Sequence, residues 1–330
     1  MNALAPMLEE YFTSYLTGQR AASPATIHTY ASTWRIFLSF ITDRIGKPAY
    51  LLDIADLDEN HVVEFLNHLE NDRHNSIATR NLRLAGIKGV LAFAAPRNPE
   101  HLSTIAKIQA IPNKRKTING IGYLSNTELQ TLLDAIDTSS WTGRRDKAMF
   151  VLAAQTGLRI SELTSLTLDD LHLHSHAANV TCVGKGRKAR TTPITQSTAA
   201  AINTYLTERR TRPGSTVFPG PGGNQLSPDA VNQRLAVHLE RAQKTCTSLA
   251  NRHVTVHTLR HTAAMRFLAA GIDSAVIALW LGHESTATTS MYLHADMQIK
   301  QNALDRTRQP ETQPGKYHPS DTLLTWLESL

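Results

Sequence analysis

The chain has 330 residues, 41% of them hydrophobic and 19% charged, with 17 Gly and 14 Pro. At about 100–200 residues per domain this suggests two domains, and the composition excludes a wholly disordered or fibrous chain. No window approaches about 18 consecutive apolar residues, so no membrane span is expected.

The opening MNALAPMLEEYF lacks the basic flank and apolar run of a secretory signal. The only cysteines, Cys182 and Cys246, form neither a disulfide framework nor a metal-ligand spacing, and a cytoplasmic protein is expected. The net charge of +6 is uneven: residues 1–110 hold 10 basic and 11 acidic side chains, residues 111–330 hold 24 and 17.

The first third reads as helices. Ser23-Pro24 is an N-cap followed by Pro at the first helical position. Behind it Ile27, Tyr30, Trp34, Phe37, Leu38 and Ile41 recur at three- and four-residue spacing. Shorter helical patterns run from Val62 to Leu69 and from Ile77 to Ala94, the latter with Arg80, Arg83 and Lys88 largely off its apolar face. A small helical bundle is expected over 1–110. Pro112, the Lys114-Arg115-Lys116 run and Asn119-Gly120 then mark a linker over 111–122.

Ser125-Asn126-Thr127-Glu128 is a capping box opening a helix over Glu128–Asp137. A second helix covers Arg145–Thr156 and stops at Gly157. Residues 171–194 are the one β region, with Val180–Val183 and Ala189–Ile194 flanking a Gly184-Lys185-Gly186 turn. His172, His174 and His176 alternate here, and we read them as a solvated strand face rather than a metal site. Helices return over 196–210, 228–244, 256–270, 273–281 and 286–293. Residues 310–330 form a Pro-rich tail with a short apolar helix over Asp321–Leu330, which docks either on its own domain or on a neighbouring subunit. The fold class is mainly α with a small antiparallel β-hairpin, giving an α+β domain over 123–309.

Four stretches carry chemistry: Thr156 to Leu163, Val183 to Arg190, His257 to His261, and Leu281 to Glu284 followed by Tyr292. Lys185, Arg187, Lys188 and Arg190 cluster with no acid between them, which fits a phosphate backbone. His257 and Arg260 share a face near a helix N-terminus, where an anion is favoured. His257 and His261 have the spacing of a zinc helix, but Thr258 stands where a metalloprotease needs Glu, and Arg260 would repel a metal. Two Arg, a Lys, two His and a Tyr without a carboxylate cluster do not suit metal-assisted hydrolysis. They suit attack on a phosphodiester: guanidiniums stabilise a pentavalent phosphoryl centre, a Lys protonates the departing alkoxide, and a Tyr is the nucleophile.

In order and without gaps, these residues resemble the signature of the tyrosine recombinase (lambda-integrase) family, close in pattern to Xer-type recombinases. The resemblance is strong over about 122–296 and weaker over the N-terminal helices, which look like the family's core-binding domain. It implies a two-domain clamp on duplex DNA with a SAM-like N-terminal domain. Arg159 matches the first catalytic arginine and Glu162 the acid that supports it. Lys185 matches the catalytic lysine, His257 and Arg260 the His-x-x-Arg pair, His283 the position held by His or Trp, and Tyr292 the nucleophile. It further implies a 3′-phosphotyrosyl intermediate, a Holliday junction within a tetramer, and no metal or nucleotide cofactor. DNA contacts are expected from Arg80, Arg83 and Lys88, to the major groove or to phosphate, and from Lys114, Arg115, Lys116, Arg187, Lys188 and Arg190, to the phosphate backbone. The rivals are a catalytically inactive accessory DNA-binding partner of another recombinase and a type IB-like topoisomerase. The long Pro-rich tail tilts the reading toward a mobile-element integrase.

Overall fold

The computed structural model describes residues 4–115, 122–173, 177–184, 189–211, 213–282 and 326. The chain divides into two compact units, 1–118 and 119–330.

The first unit is helical, as its periodicity requires. Helix α1 (Leu4–Glu10) runs on into a π-helical stretch, Tyr11–Gln19. Helix α2 (Pro24–Ile45) starts where the Ser23 hydroxyl accepts from the Thr26 amide with Pro24 behind it, and ends at Gly46 in a left-handed conformation. Helices α3 (Glu59–Asn71) and α4 (Ile77–Ala94) are capped by Asp58 and Ser76. Helix α5 (Leu102–Ala110) closes the unit. Trp34, Phe37 and Ile41 of α2 meet Phe65 and Leu69 of α3 and Leu84, Ile87 and Leu91 of α4 in one apolar core. Gly86 lets α4 approach α2 closely: a Cβ there would touch Thr33 at 3.4 Å, and the Trp34 indole N–H donates to the Gly86 carbonyl at 3.1 Å.

The second unit combines helices with a small three-stranded sheet. Helix α6 (Asn126–Asp134) opens with the Ser125/Glu128 capping box. Helix α7 (Trp141–Thr156) begins a turn earlier than Arg145, because the Ser140 hydroxyl accepts from the Gly143 amide, and it ends at left-handed Gly157. A short helix α8 (Ile160–Ser165) follows; six residues are too few to show a period in the sequence. Strands β1 (Leu171–His172), β2 (Asn179–Val183) and β3 (Ala189–Pro193) form an antiparallel sheet in that order, with Cys182 opposite Arg190. Helices α9 (Gln196–Arg209), α10 (Pro228–Gln243), α11 (Val256–Ala269) and α12 (Ser274–Leu281) complete the described part. Helix α7 is the axis of this unit: Met149, Phe150, Leu152 and Ala153 are buried in the main core with residues of α6, α9, α10 and α11. The expected helices over 286–293 and 321–330 fall outside the described residues, Trp326 excepted. Among the described residues no helix is long and apolar enough to cross a membrane.

One polar knot sits inside this core. Asp146 on α7 is fully buried. It accepts from Arg145 Nε and Nη2 at 3.1 and 2.7 Å, and from Arg234 Nε and His238 Nε2 of α10 at 2.7 and 2.9 Å. Burial would raise its pKa, but the hydrogen bonds from His238, Arg145 and Arg234 outweigh that and hold it below the usual carboxylate value. Removing one partner of such a group strands the others without compensation. Asp146→Ala is therefore expected to cost about 3–5 kcal/mol, read from the urea unfolding midpoint; a loss within the noise of surface substitutions would show that the knot is solvated.

Candidate active site

Two helix ends prepare the site. Helix α7 stops at Gly157, whose φ of +64° turns the chain, and α12 stops at Gly282 with φ of +65°. The last carbonyls of a helix have no intrahelical partners and carry partial negative charge. Here they receive guanidiniums. Arg260, in the second turn of α11 and only 3% exposed, donates Nη1 to the Gly157 carbonyl at 2.6 Å and Nη2 to the Leu281 carbonyl at 2.7 Å. Arg159 is the N-cap residue of α8, and its Nη2 donates to the Gly282 carbonyl at 2.7 Å. Two arginines 101 positions apart in the sequence are thus drawn to one place by two neighbouring helix C-termini.

Glu162 fixes Arg159 from the other side. Its Oε2 accepts from the Arg159 amide at 2.8 Å and its Oε1 from Arg159 Nη1 at 2.9 Å. Both oxygens also accept from Arg190, Nη1 to Oε1 at 2.8 Å and Nη2 to Oε2 at 2.7 Å. Burial pushes the Glu162 pKa up, but the Arg190 hydrogen bonds, the Arg159 amide and the Arg190 charge prevail and hold it below the ordinary glutamate value.

A cleft of about 380 Å³ opens between these elements, lined by Arg159, Ser161, Asn232, Thr255, His257 and Arg260 among others. Thr255 caps α11, accepting from the Thr258 amide, so His257 lies in the first turn as its position predicts. Its side chain is exposed, and its ring centroid is 4.2 Å from that of His261. Partial desolvation, then the charges of Arg260 and Arg159, lower its pKa below the usual imidazole value. That shift favours the uncharged ring, which can accept a proton at one nitrogen and donate from the other. A larger cavity of about 630 Å³, lined by Tyr123, Gln155, Ala263 and Phe267 among others, contains neither Arg159 nor Arg260.

Of the expected site residues, the structure brings together Arg159, Glu162, His257 and Arg260. Lys185, His283 and Tyr292 lie outside the described residues, as do Arg187, Lys188 and Lys116. Arg190 lies within the described residues. Expected on a phosphate backbone, it instead pairs with buried Glu162 and its side chain is only 13% exposed. Strand periodicity explains why: β2 turns Val180 and Cys182 inward, and Arg190 pairs opposite Cys182, so it shares the inward face. That pairing register was the signal available in the sequence. Asn232, on α10, lines the cleft without any motif to announce it.

The basic residues of the first unit differ in exposure. Arg80 is nearly buried and donates Nη1 to Asn81 Oδ1 and the Pro112 carbonyl at 3.0 and 3.2 Å, with Glu70 3.6 Å from its Nε. Lys88 donates Nζ to the carbonyls of Gln109 and Ile111 at 2.7 and 2.6 Å. Both cations serve chain carbonyls at and beyond the α5 C-terminus, fastening that segment to α4, rather than standing on an outer face. Arg83 is half-buried, its Nε without a hydrogen-bond partner among the described residues; burial and the Arg73 charge lower its pKa. Lys114 pairs with Glu70 at 2.8 Å yet stays 55% exposed, and Arg115 is exposed.

A convergent arginine pair beside a histidine, in a helical unit that follows an all-helical one, is suited to holding a phosphate group. Comparison with known proteins makes this specific. Residues 122–299 match the phage integrase family, and residues 8–90 match the phage integrase N-terminal SAM-like domain. A protein of Sinorhizobium fredii named as an integrase/recombinase, y4rC, is 43% identical over 328 residues, 99% of this chain and 98% of that protein. The tyrosine recombinase XerC of Rhodospirillum centenum is 30% identical over 284 residues, covering 86% of this chain and 81% of that protein. The fold resembles that of the XerH site-specific recombinase bound to its palindromic difH substrate, with a TM-score of 0.68 at 22% identity over 87% of this chain and 81% of that one. The chain belongs to the phage integrase family and is a tyrosine-type site-specific recombinase.

The Glu162 ion pairs set a pH dependence. The folded state holds this carboxyl below the 4.5 of an ordinary glutamate. Its contribution to stability is complete above that value and is lost as pH falls through the lower folded one. Glu162→Gln is expected to cost about 3 kcal/mol at neutral pH, with the gap from the unmutated chain narrowing in acid; urea unfolding at several pH values checks it, and a gap unchanged down to pH 3 would rule out the carboxylate charge as its source.

Proposed function

We propose that this recombinase cuts and rejoins DNA through two transesterifications at the Arg159–Arg260 cleft. The observation that carries the reading is the convergence of those two guanidiniums on one cleft with His257. In the first step Tyr292 Oη attacks the scissile phosphorus, the bond to the 5′-oxygen breaks, and a 3′-phosphotyrosyl link forms. Arg159, Arg260 and His283 stabilise the charge on the pentavalent centre. Lys185 supplies the proton to the departing 5′-oxygen, and His257 assists the proton transfer. In the second step the 5′-hydroxyl of a partner strand attacks the phosphotyrosine and releases Tyr292. One phosphodiester is exchanged for another through a covalent ester of similar energy, so no nucleotide is consumed.

The partner is duplex DNA, and the exchange of two strand pairs calls for four active sites, met by a homo-tetramer or by a hetero-tetramer with a second recombinase passing through a Holliday junction. Exposed Arg115 and Lys114, with Lys116, Arg187 and Lys188, are the residues proposed to contact the phosphate backbone. The 43% identity to a protein named as an integrase/recombinase along nearly the whole chain supports DNA integration or recombination as the reaction.

A nicked suicide substrate drawn from DNA flanking the gene, incubated in EDTA, tests this. The unmutated chain should form a covalent protein–DNA adduct that is absent with Tyr292→Phe. Arg159→Ala or Arg260→Ala should slow adduct formation by about 10²–10³-fold. An adduct that survives Tyr292→Phe would move the nucleophile elsewhere and sink the assignment.

A further inference from the structure

Arg159 and Arg190 share one carboxylate, and they share it unequally. Arg190 spends both terminal nitrogens on Glu162, one on each oxygen, at 2.8 and 2.7 Å. Arg159 reaches Glu162 with one terminal nitrogen at 2.9 Å and sends the other to the neutral Gly282 carbonyl at 2.7 Å. The fork-on-fork face of the carboxylate, which an arginine prefers, is therefore filled by the residue that does not line the cleft. Arg159, which does line it, is also the more open of the two, with its side chain 32% exposed against 13% for Arg190. Two guanidiniums and one carboxylate leave a surplus of one positive charge, and the geometry puts that surplus on the cleft side.

Gly282 belongs to the same arrangement. Its carbonyl holds Arg159, and a Cβ at this position would lie 2.8 Å from Arg190 Nη1. The absence of a side chain there makes room for Arg190 while the backbone orients Arg159.

We infer that Arg190 is a positioning residue for Arg159. By occupying the two-pronged face of Glu162 it stops Arg159 from closing onto the carboxylate, and it leaves the Arg159 charge turned toward a phosphate in the cleft. The inference rests on the reading of Arg159 as a phosphate ligand. It also makes a demand that a packing role would not. When Arg190 is lost, Glu162 becomes an unshared anion that captures Arg159, so removing the Glu162 charge as well should restore function rather than deepen the damage.

The test uses the full chain with inorganic phosphate as probe, so it needs no cognate DNA. Binding is followed by the Arg159 Nε–Hε resonance of ¹⁵N-arginine-labelled protein, and by competition where Arg159 is replaced. Arg190→Ala should weaken phosphate about tenfold, the size of one charge-assisted contact, and Arg190→Ala/Glu162→Gln should recover most of that loss. Arg190→Lys, which keeps the charge but not the fork, should fall between. If Arg190→Ala does not fold, Arg190→Lys and Arg190→Lys/Glu162→Gln carry the same comparison with a smaller, about threefold, effect. Unchanged phosphate binding in the Arg190 variants, or a double variant no better than the single one, overturns the inference while Arg159→Ala still loses phosphate. An unmutated chain that takes up no phosphate, or an Arg159→Ala chain that binds as well as it does, removes the functional reading itself and the inference with it.

Discussion

The site depends on one constraint: a guanidinium must be fixed in place without losing its charge. A carboxylate orients an arginine strongly but neutralises it. A helix C-terminal carbonyl orients it and leaves the full charge in place. Arg260 is held by two such carbonyls, Gly157 and Leu281, and Arg159 by the Gly282 carbonyl together with Glu162. The left-handed glycines make this possible, because each ends its helix abruptly enough for the terminal carbonyls to face a side chain. The rest of the unit brings those two helix ends together. A Cβ on Gly157 would sit 2.5 Å from the Leu281 side chain, and the small apolar cluster of Met265, Leu268, Ile277 and Leu281 seats α12 on α11. Apolar packing thus decides the position of two polar helix ends, and those ends decide where the arginines lie.

Buried carboxylates organise the second unit in three places, with different consequences. Asp146 gathers Arg145, Arg234 and His238 in the interior, where Arg145 is 1% exposed and donates its remaining terminal nitrogen, Nη1, to the Pro219 carbonyl at 2.8 Å. Glu128 receives the Ser125 amide, the Ser248 hydroxyl and Arg252, tying the start of α6 to the chain before α11. Glu162 does the same work for α8 and β3 but borders the cleft. The chemistry of the pairs is alike; what sets Arg159 apart is that it lines the cleft, with its side chain 32% exposed.

The first unit shows the converse. Arg80 and Lys88 have the residue type of phosphate ligands and serve as staples, since their heads reach chain carbonyls between Gln109 and Pro112. A long aliphatic stem lets a cation lie along an apolar face and place its charge on backbone oxygens nearby. Basic side chains spaced along one helix therefore do not by themselves mark a DNA-facing surface.

Much of this protein was legible in the sequence because the signals are local. Ser23-Pro24, Ser125 with Glu128, Thr255 and Gly157 mark helix ends through hydrogen bonds made within a few residues, and the apolar spacing of Trp34, Phe37 and Ile41 marks a face through helical geometry alone. The two β-strands around the Gly184 turn follow from alternation of the same kind. The identity of Arg159, Glu162, His257 and Arg260 as a set also came from the sequence, since each sits in a recognisable stretch. What those stretches do to one another was decided only by the tertiary structure. The carbonyl that holds Arg260 is 103 residues away at Gly157, and the carboxylate that claims Arg190 is 28 residues away on another element. A side chain's type declares which partners it can take; whether it meets phosphate, carboxylate or a helix end depends on long-range packing, which no local pattern encodes.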